Sequence, residues 1–156
     1  MQIDATYPST LLGPDGLRIE RVDLDRYGEI KALNRVVFGD DRVIYRVDRD
    51  DLVLLLATAG GEAVGYKVGY RETASTFYSA KGGVLDGWRR RGVARALLVR
   101  MEDEARALGY RTFAFDTFPN KHPGMTVMGL AEGYRVTAAG YNAAYRDYRV
   151  RFEREL

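Results

Sequence analysis

The chain has 156 residues, the usual size of one domain and enough to bury a hydrophobic core. Its 24 Lys+Arg residues against 22 Asp+Glu residues leave a formal charge of only +2, which argues against a general nucleic-acid-binding protein. The absence of cysteine excludes disulfides and cysteine-ligated metals, and one histidine, His122, argues against a zinc site, so no metal is predicted.

A flexible lead-in is expected over residues 1–16, which end at Pro14, Asp15 and Gly16, and one domain is expected over residues 17–156. The lead-in lacks a basic region followed by an apolar one, and no later window reaches the roughly 18 to 20 apolar residues that a membrane span needs. We therefore expect a soluble, cytoplasmic protein with no membrane contact.

The first elements alternate between strand and helix. Residues 17–22 alternate apolar and polar side chains, as a half-buried strand does. Asp23 or Asp25 then stands where it can cap a helix that continues to Phe38, and Gly39 provides its C-terminal stop.

A hairpin and a glycine-containing strand follow. The continuous apolar run 51–58 is typical of a strand covered on both faces, and two glycines turn the chain into a second strand over 63–70. Another strand is expected over 75–85, where Gly82 and Gly83 would weaken pairing unless a bend or a ligand needs close backbone approach.

The clearest helix begins at Val93. Its apolar positions follow a 3.6-residue period: Val93, Ala94, Leu97, Leu98, Met101, Ala105 and Leu108. Glu102 and Arg106 are four residues apart, which predicts an ion pair, and Gly109 supplies the stop. The remaining predicted elements are a strand (111–118), a helix (124–132) and two strands (134–138 and 145–152). Together with the earlier elements they predict a mixed α/β sheet.

Three consecutive arginines, Arg89 to Arg91, precede this helix. A helix N-terminus has unpaired N–H groups and a partial positive charge, and Gly92 and Ala94 leave room for an anion to approach. The pattern favours a di- or polyphosphate, although a solvated helix start that balances nearby acidic residues would give the same string.

The segment VLDGWRRRGVARALL, residues 84–98, resembles the acetyl-CoA-binding signature of the GNAT superfamily of N-acetyltransferases, Arg/Gln-x-x-Gly-x-Gly/Ala between a strand and a helix. Here the core is Arg89-x-x-Gly92-x-Ala94. The resemblance extends to the Phe38–Gly39 pair, the strand EAVGYKVGY, the segment FYSAKGGV, the loop TFPNKHPGM and the Gly133–Tyr134 pair, and so covers about residues 17–152. It implies a single GNAT-type domain with helices on both faces of a mixed sheet whose fourth and fifth strands splay apart.

The resemblance also implies where acetyl-CoA, the co-substrate, would bind. Its pyrophosphate would lie on the signature loop, and its pantetheine arm would run beside the fourth strand, which would explain the glycines there. An asparagine after the fifth strand commonly helps to position the arm. The implied residues are Gly83, Val84, Leu85, Arg89, Arg90, Arg91, Gly92, Val93, Ala94 and Asn120. By itself, Asn120 beside Pro119 is an ordinary turn residue.

Catalysis needs a base for the protonated amine acceptor and a proton for the departing thiolate. Family members often use a helix tyrosine as the acid, but the matching position here is Gly129. Candidates that remain are Tyr78, as a proton donor or a packing residue, Asp116, as a base or a turn cap, and His122, as an acid–base group or an exposed loop residue. Glu72 could face the amine or solvent, and bound water could serve instead.

Tyrosines are concentrated near the C-terminus, at Tyr141, Tyr145 and Tyr148. Family members often build part of the acceptor site or a dimer contact there, which leaves a homodimer open. The alternation of Tyr148, Val150 and Phe152 favours the core face of a strand instead.

The sequence therefore predicts an acetyl-CoA-dependent transferase that acetylates a primary amine, either a small molecule or a protein, by direct attack. Two alternatives remain open at this stage. One is a non-catalytic acyl-CoA-binding module, which the missing tyrosine favours. The other is a nucleic-acid binder that uses the arginine cluster, against which the chain has no long basic stripe.

Overall fold

A computed structural model describes Pro14 and residues 16–156. The lead-in predicted over residues 1–16 lies outside the described residues, apart from Pro14 and Gly16. Within the described part the chain forms seven strands: β1 (Leu17–Val22), β2 (Val53–Ala59), β3 (Glu62–Arg71), β4 (Thr76–Val84), β5 (Thr112–Thr117), β6 (Arg135–Asn142) and β7 (Asp147–Glu155). It forms three α-helices: α1 (Tyr27–Phe38), α2 (Val93–Ala107) and α3 (Pro123–Ala131). None of the helices in this part is long and apolar enough to cross a membrane.

The strands form one mixed sheet in the order β1-β2-β3-β4-β5-β7-β6. All neighbours are antiparallel except β4 and β5, which run parallel. The parallel pairing extends from Thr76 with Thr112 to Ser79 with Phe115 and then stops, while β4 remains paired with β3 as far as Val84. The gap that opens beyond the Ser79–Phe115 pair is called the fork below, and it confirms the predicted splay of the fourth and fifth strands.

The sheet has a hydrophobic core on each face. The face under α2 and α3 buries Leu55, Phe77, Leu97, Leu98, Met101, Phe113, Phe115 and Phe152. The face under α1 buries Ile30, Leu33, Leu54, Leu56, Tyr66 and Val68. Because β2 contributes to both cores, it is apolar without interruption from Val53 to Ala57, as predicted.

The predicted ends of α1 are half correct. Gly39 ends the helix in the left-handed region, at φ 76°, as expected. Asp23 and Asp25 do not cap it, because a 3-10 turn at Leu24–Arg26 intervenes and α1 begins at Tyr27 without a side-chain cap.

The predicted Glu102–Arg106 ion pair on α2 is wrong. Glu102 faces the core, 5% exposed, and forms an ion pair with Arg154 on β7 at 3.2 Å. Arg106 binds Asp103 at 2.9 Å instead. Sequence spacing alone did not reveal that Glu102 lies on the buried side of the helix.

The C-terminal hairpin is longer than predicted. Strand β6 extends to Asn142 and is exposed along nearly its whole length. On β7, Phe152 is fully buried, but Tyr148 is 60% exposed and its ring packs on that of Tyr141, with the ring centres 5.5 Å apart. The predicted core face of β7 is therefore wrong at Tyr148.

Candidate active site

The loop between β4 and α2 carries the predicted anion site. Gly92 stands at the helix start with φ +85°, and Arg90 also has a left-handed φ of 59°. The N–H of Ala96 makes the first helical hydrogen bond, to the carbonyl of Gly92 at 3.0 Å, so Val93 and Ala94 lie in the first turn and their N–H groups have no helical carbonyl to bind. The Val93 side chain is buried, whereas Gly92 and Ala94 are exposed, which keeps this helix end open.

The three arginines of this loop are exposed and differ in their contacts. Arg89 bonds through Nε to the Val84 carbonyl and to Asp86, each at 3.3 Å. The guanidinium of Arg91 lies over the Trp88 ring, 4.2 Å from its centre. Arg90 has no hydrogen bond or ion pair to any described residue. The loop thus offers exposed cationic side chains beside helix N–H groups, which is a suitable environment for a pyrophosphate.

The glycines of β4 have a packing reason of their own. A Cβ on Gly83 would lie 3.1 Å from the Tyr66 ring, 3.2 Å from Val37 and 3.3 Å from Phe38. Helix α1 therefore packs directly against the β4 backbone at this point. The predicted explanation, close approach of a ligand arm, is not needed for Gly83.

Backbone groups near the end of β4 are partly engaged. The Leu85 N–H bonds to the Val64 carbonyl, and the Leu85 carbonyl accepts the Trp88 N–H, both at 2.9 Å. Val84 is buried, and its carbonyl accepts Arg89. Of the three residues implied to line the pantetheine arm, Leu85 therefore has the least free hydrogen-bonding capacity.

Asn120 and His122 lie in the loop before α3. The Asn120 amide donates to Asp147 at the start of β7 at 2.9 Å, which fixes the loop to the last hairpin. The His122 ring meets Phe38 edge-on, 6.2 Å between centres, and Phe38 in turn borders Gly83. His122 is therefore at the β4 side of the fork. His122 is exposed, but its neighbours partly desolvate the ring, which lowers its pKa, and the charges of Lys121 and Arg89 lower it further.

Tyr78 and Asp116 are joined by a hydrogen bond. The Tyr78 hydroxyl on β4 donates to Oδ2 of Asp116 on β5 at 2.7 Å. Burial raises the pKa of Tyr78 well above its ordinary range, and the Asp116 carboxylate raises it further. Asp116 lies within β5 rather than in a turn, so its predicted role as a turn cap is wrong. It is the first β5 residue beyond the Ser79–Phe115 pair, at the base of the fork.

A polar cleft of about 270 Å³ adjoins Asp116. The cleft is lined by Asp116, Ala138, Ala139, Gly140, Tyr141, Asn142, Arg149 and Arg151. Arg151 binds Glu72 at 3.0 Å and Glu153 at 2.8 Å, so Glu72 is held in an ion pair rather than free to face an amine. Arg149 is exposed and has no hydrogen bond or ion pair among the described residues.

Arg149 and Arg151, two of the three arginines of β7, were not identified from the sequence. Arg151 is directly opposite Asp116 in the β5–β7 register. The alternation along β7 places Arg149 on the same face as Arg151, but the sequence does not disclose that β7 pairs with β5.

Gly129 fills the position at which the resemblance implies a tyrosine. A Cβ at Gly129 would stand 2.9 Å from Phe115 and 3.3 Å from Phe152. Helix α3 lies so close to these rings that they would have to shift to admit any side chain at this position. The usual helix acid is therefore absent here for a packing reason.

Comparison with known proteins identifies the family to which this chain belongs. A family model described as an acetyltransferase (GNAT) domain matches residues 38–122, more than half of the chain. No curated protein sequence matches the chain.

Solved structures with the same fold share little sequence with the chain. A GNAT family acetyltransferase from Elizabethkingia anophelis with acetyl-CoA bound has TM-score 0.75 at 17% identity, covering 92% of this chain and 100% of that one. The ribosomal-protein-S18-alanine N-acetyltransferase from Escherichia coli has TM-score 0.76 at 11% identity, covering 89% and 93%. Arabidopsis thaliana Naa50 in complex with the bisubstrate analogue CoA-Ac-MVNAL has TM-score 0.73 at 18% identity, covering 90% and 99%.

Proposed function

The chain belongs to the GNAT family of acetyl-CoA-dependent acetyltransferases, and we propose that it transfers the acetyl group to a primary amine by direct attack on the thioester. The observation that carries the proposal is the position of the Tyr78–Asp116 pair. This pair lies at the base of the fork and borders the polar cleft beside Asp116, called the acceptor cleft from here on. One carboxylate would therefore adjoin both substrates.

The residues Arg89 to Ala94 would bind the pyrophosphate of acetyl-CoA. The exposed helix N-terminus at Gly92 and the cationic side chains before it fit this dianionic group. The arm would then follow β4 past Gly83 and Val84 towards the base of the fork, with His122 on the β4 side and Asn120, which binds Asp147 of β7, on the other side. This direction leaves the acetyl group beside Asp116.

Asp116 would serve as the base. A primary amine with a pKa near ~10.4 is mostly protonated at neutral pH and must lose a proton before it attacks. Oδ2 of Asp116 is held by the Tyr78 hydroxyl, which leaves Oδ1 to accept that proton directly or through water. Since the Tyr78 proton is directed at Asp116, we assign Tyr78 to positioning the carboxylate rather than to protonating the thiolate.

Arg149 favours an acceptor that carries an anionic group beside its amine. The acceptor cleft combines one carboxylate with one guanidinium that has no partner in the described part of the chain, and Arg151 is already neutralised by Glu72 and Glu153. A small zwitterion, such as an amino acid, matches both the charges and the volume of about 270 Å³.

Calorimetric titration with acetyl-CoA tests the cofactor site. We expect micromolar binding to the wild type and at least about tenfold weaker binding to the Arg89→Ala/Arg91→Ala variant, because two charge-assisted contacts are lost. The Arg18→Ala/Arg46→Ala variant, which removes two exposed arginines elsewhere, is the matched control and should bind like the wild type. Absence of binding to the wild type would overturn the proposal.

Thiol release with a panel of amines and amino acids tests the chemistry. Asp116→Asn should lower kcat about 100-fold while acetyl-CoA affinity is kept, since it removes only the base. Arg149→Ala should raise KM for acceptors with a carboxylate and leave KM for simple amines unchanged. Tight acetyl-CoA binding without turnover of any amine would favour the alternative, a non-catalytic acyl-CoA-binding module.

A further inference from the structure

Lys67 on β3 is a buried cation without a partner. Its side chain is only 6% exposed, yet it makes no hydrogen bond or ion pair within the described part of the chain. Leu55 and Gly82 flank it on the neighbouring strands, so it points into the core beneath α2. An unpaired buried charge is unfavourable, so the fold gains nothing from a lysine at this position.

The charged groups around Lys67 do not neutralise it. The carboxylate that acts on it is Glu102 of α2, which Arg154 of β7 already holds at 3.2 Å and which lies beside Tyr134. Burial therefore outweighs the attraction of Glu102 and lowers the pKa of Lys67 to about 8. A lysine with this pKa is protonated at neutral pH but gives up its proton readily.

The lysine side chain extends from β3 over Gly82 of β4. A Cβ on Gly82 would stand 3.4 Å from Cγ and 3.6 Å from Nζ of Lys67, so the lysine lies over the position where a side chain is missing. Gly82 belongs to the part of β4 that has no β5 partner. Neighbouring strands are about 4.8 Å apart, and the lysine side chain spans this distance, so its ammonium lies above Gly82, which borders the fork.

The order of groups along the fork indicates which part of bound acetyl-CoA would lie beside Lys67. Asp116 is at the base of the fork, and residues 89–94 are beyond its open end. Under the proposed function the acetyl group lies near Asp116, and the arm passes Gly83 and Val84. The thioester sulfur, which joins the acetyl group to the arm, then falls at the level of Gly82.

Resting on that proposed function, we propose that Lys67 is a further catalytic residue, which protonates the departing thiolate from the face of the sheet opposite Asp116. The amine nitrogen bonds to the carbonyl carbon, the carbon–sulfur bond breaks, and its electron pair stays on sulfur. The ammonium of Lys67 transfers a proton to that sulfur and regains one from solvent. The acceptor loses two protons, one before the attack and one after it, and Asp116 passes each to solvent, so that one proton is released overall. The products are the amide and the CoA thiol, and the acid that Gly129 cannot provide comes from β3.

The thiol of bound CoA provides a test that does not depend on turnover. Thiolate absorbance of CoA bound to the protein is followed against pH in the wild type, Lys67→Met and Lys67→Gln. A nearby ammonium favours the thiolate, so the thiol pKa in the wild-type complex should lie at least about 1 below that in either variant. Lys31→Met, which removes a lysine on α1, is the matched control and should match the wild type.

Steady-state kinetics complete the test. Both Lys67 variants should lose at least about tenfold in kcat, with KM for acetyl-CoA little changed. The wild-type decline in kcat as pH rises through the titration of Lys67 should be missing from both.

Equal thiol pKa values and equal kcat in wild type and variants would overturn the inference while acetyl-CoA binding upheld the proposed function. Weaker binding with unchanged kcat and thiol pKa would also overturn it, because Lys67 would then hold the arm. Failure of the wild type to bind CoA would instead overturn the proposed function, and this inference with it.

Discussion

Replacing Lys67 with methionine should stabilise the protein at neutral pH. Burial lowers the pKa of Lys67 from 10.5 to about 8, and a difference of this size corresponds to about 3 kcal/mol of unfavourable free energy when the group is charged in both states. Methionine has a similar length and no charge, and it fills irregular core space well. We therefore expect Lys67→Met to raise the free energy of unfolding at pH 7 by about 3 kcal/mol.

The stability difference between Lys67→Met and the wild type should depend on pH. Because the folded state has the lower pKa, the penalty is fully present below pH 8, where both states are protonated. Between about pH 8 and 10.5 the unfolded chain binds more protons than the folded one, so the stability of the wild type rises with pH. Lys67→Met lacks this titration, and the difference between the two proteins should narrow across the same range.

Urea unfolding followed by circular dichroism at pH 7, 8, 9 and 10 measures both effects. Lys31→Met serves as the control, because Lys31 on α1 is partly exposed and its loss should change stability far less. The reasoning is refuted if Lys67→Met is no more stable than the wild type at pH 7. It is equally refuted if the gap between them stays constant up to pH 10.

Two further predictions concern packing and buried polarity. Gly129→Ala should destabilise the protein by about 1 to 3 kcal/mol, because its Cβ would stand 2.9 Å from Phe115, whereas Gly124→Ala in the same helix meets nothing within 4 Å and should be neutral or stabilising. Thermal unfolding measures both variants, and equal effects would contradict the packing argument. Tyr66→Phe removes the hydroxyl that donates to Oδ1 of buried Asn34 at 2.6 Å and should cost about 1 to 3 kcal/mol in urea unfolding. Tyr148→Phe, at an exposed position, is its control, and a loss of similar size there would show that the Asn34 bond is not the cause.

Local patterns in the sequence predicted most of the elements. The apolar run of β2, the 3.6-residue stripe of α2 and the stop at Gly39 depend on residues within a few positions of one another, and each is present in the structure. The arginines before Gly92 were likewise assigned correctly to a helix N-terminus. Predictions were wrong where tertiary packing overrode a local rule. The spacing predicted that Glu102 pairs with Arg106, but Glu102 faces the core and pairs with Arg154.

The sequence by itself thus determined the order of strands and helices and the arginine loop, because hydrophobic periodicity and the conformational preferences of glycine act over short stretches of chain. Only the tertiary structure decided which side chains share the fork. Tyr78 meets Asp116 through the parallel register of β4 and β5, although the two are 38 residues apart. Lys67 of β3 lies above Gly82, which borders the same gap, because the glycine leaves space over β4. Strand pairing and close packing depend on contacts between distant segments, and periodicity within one segment carries no information about which strand will lie beside it.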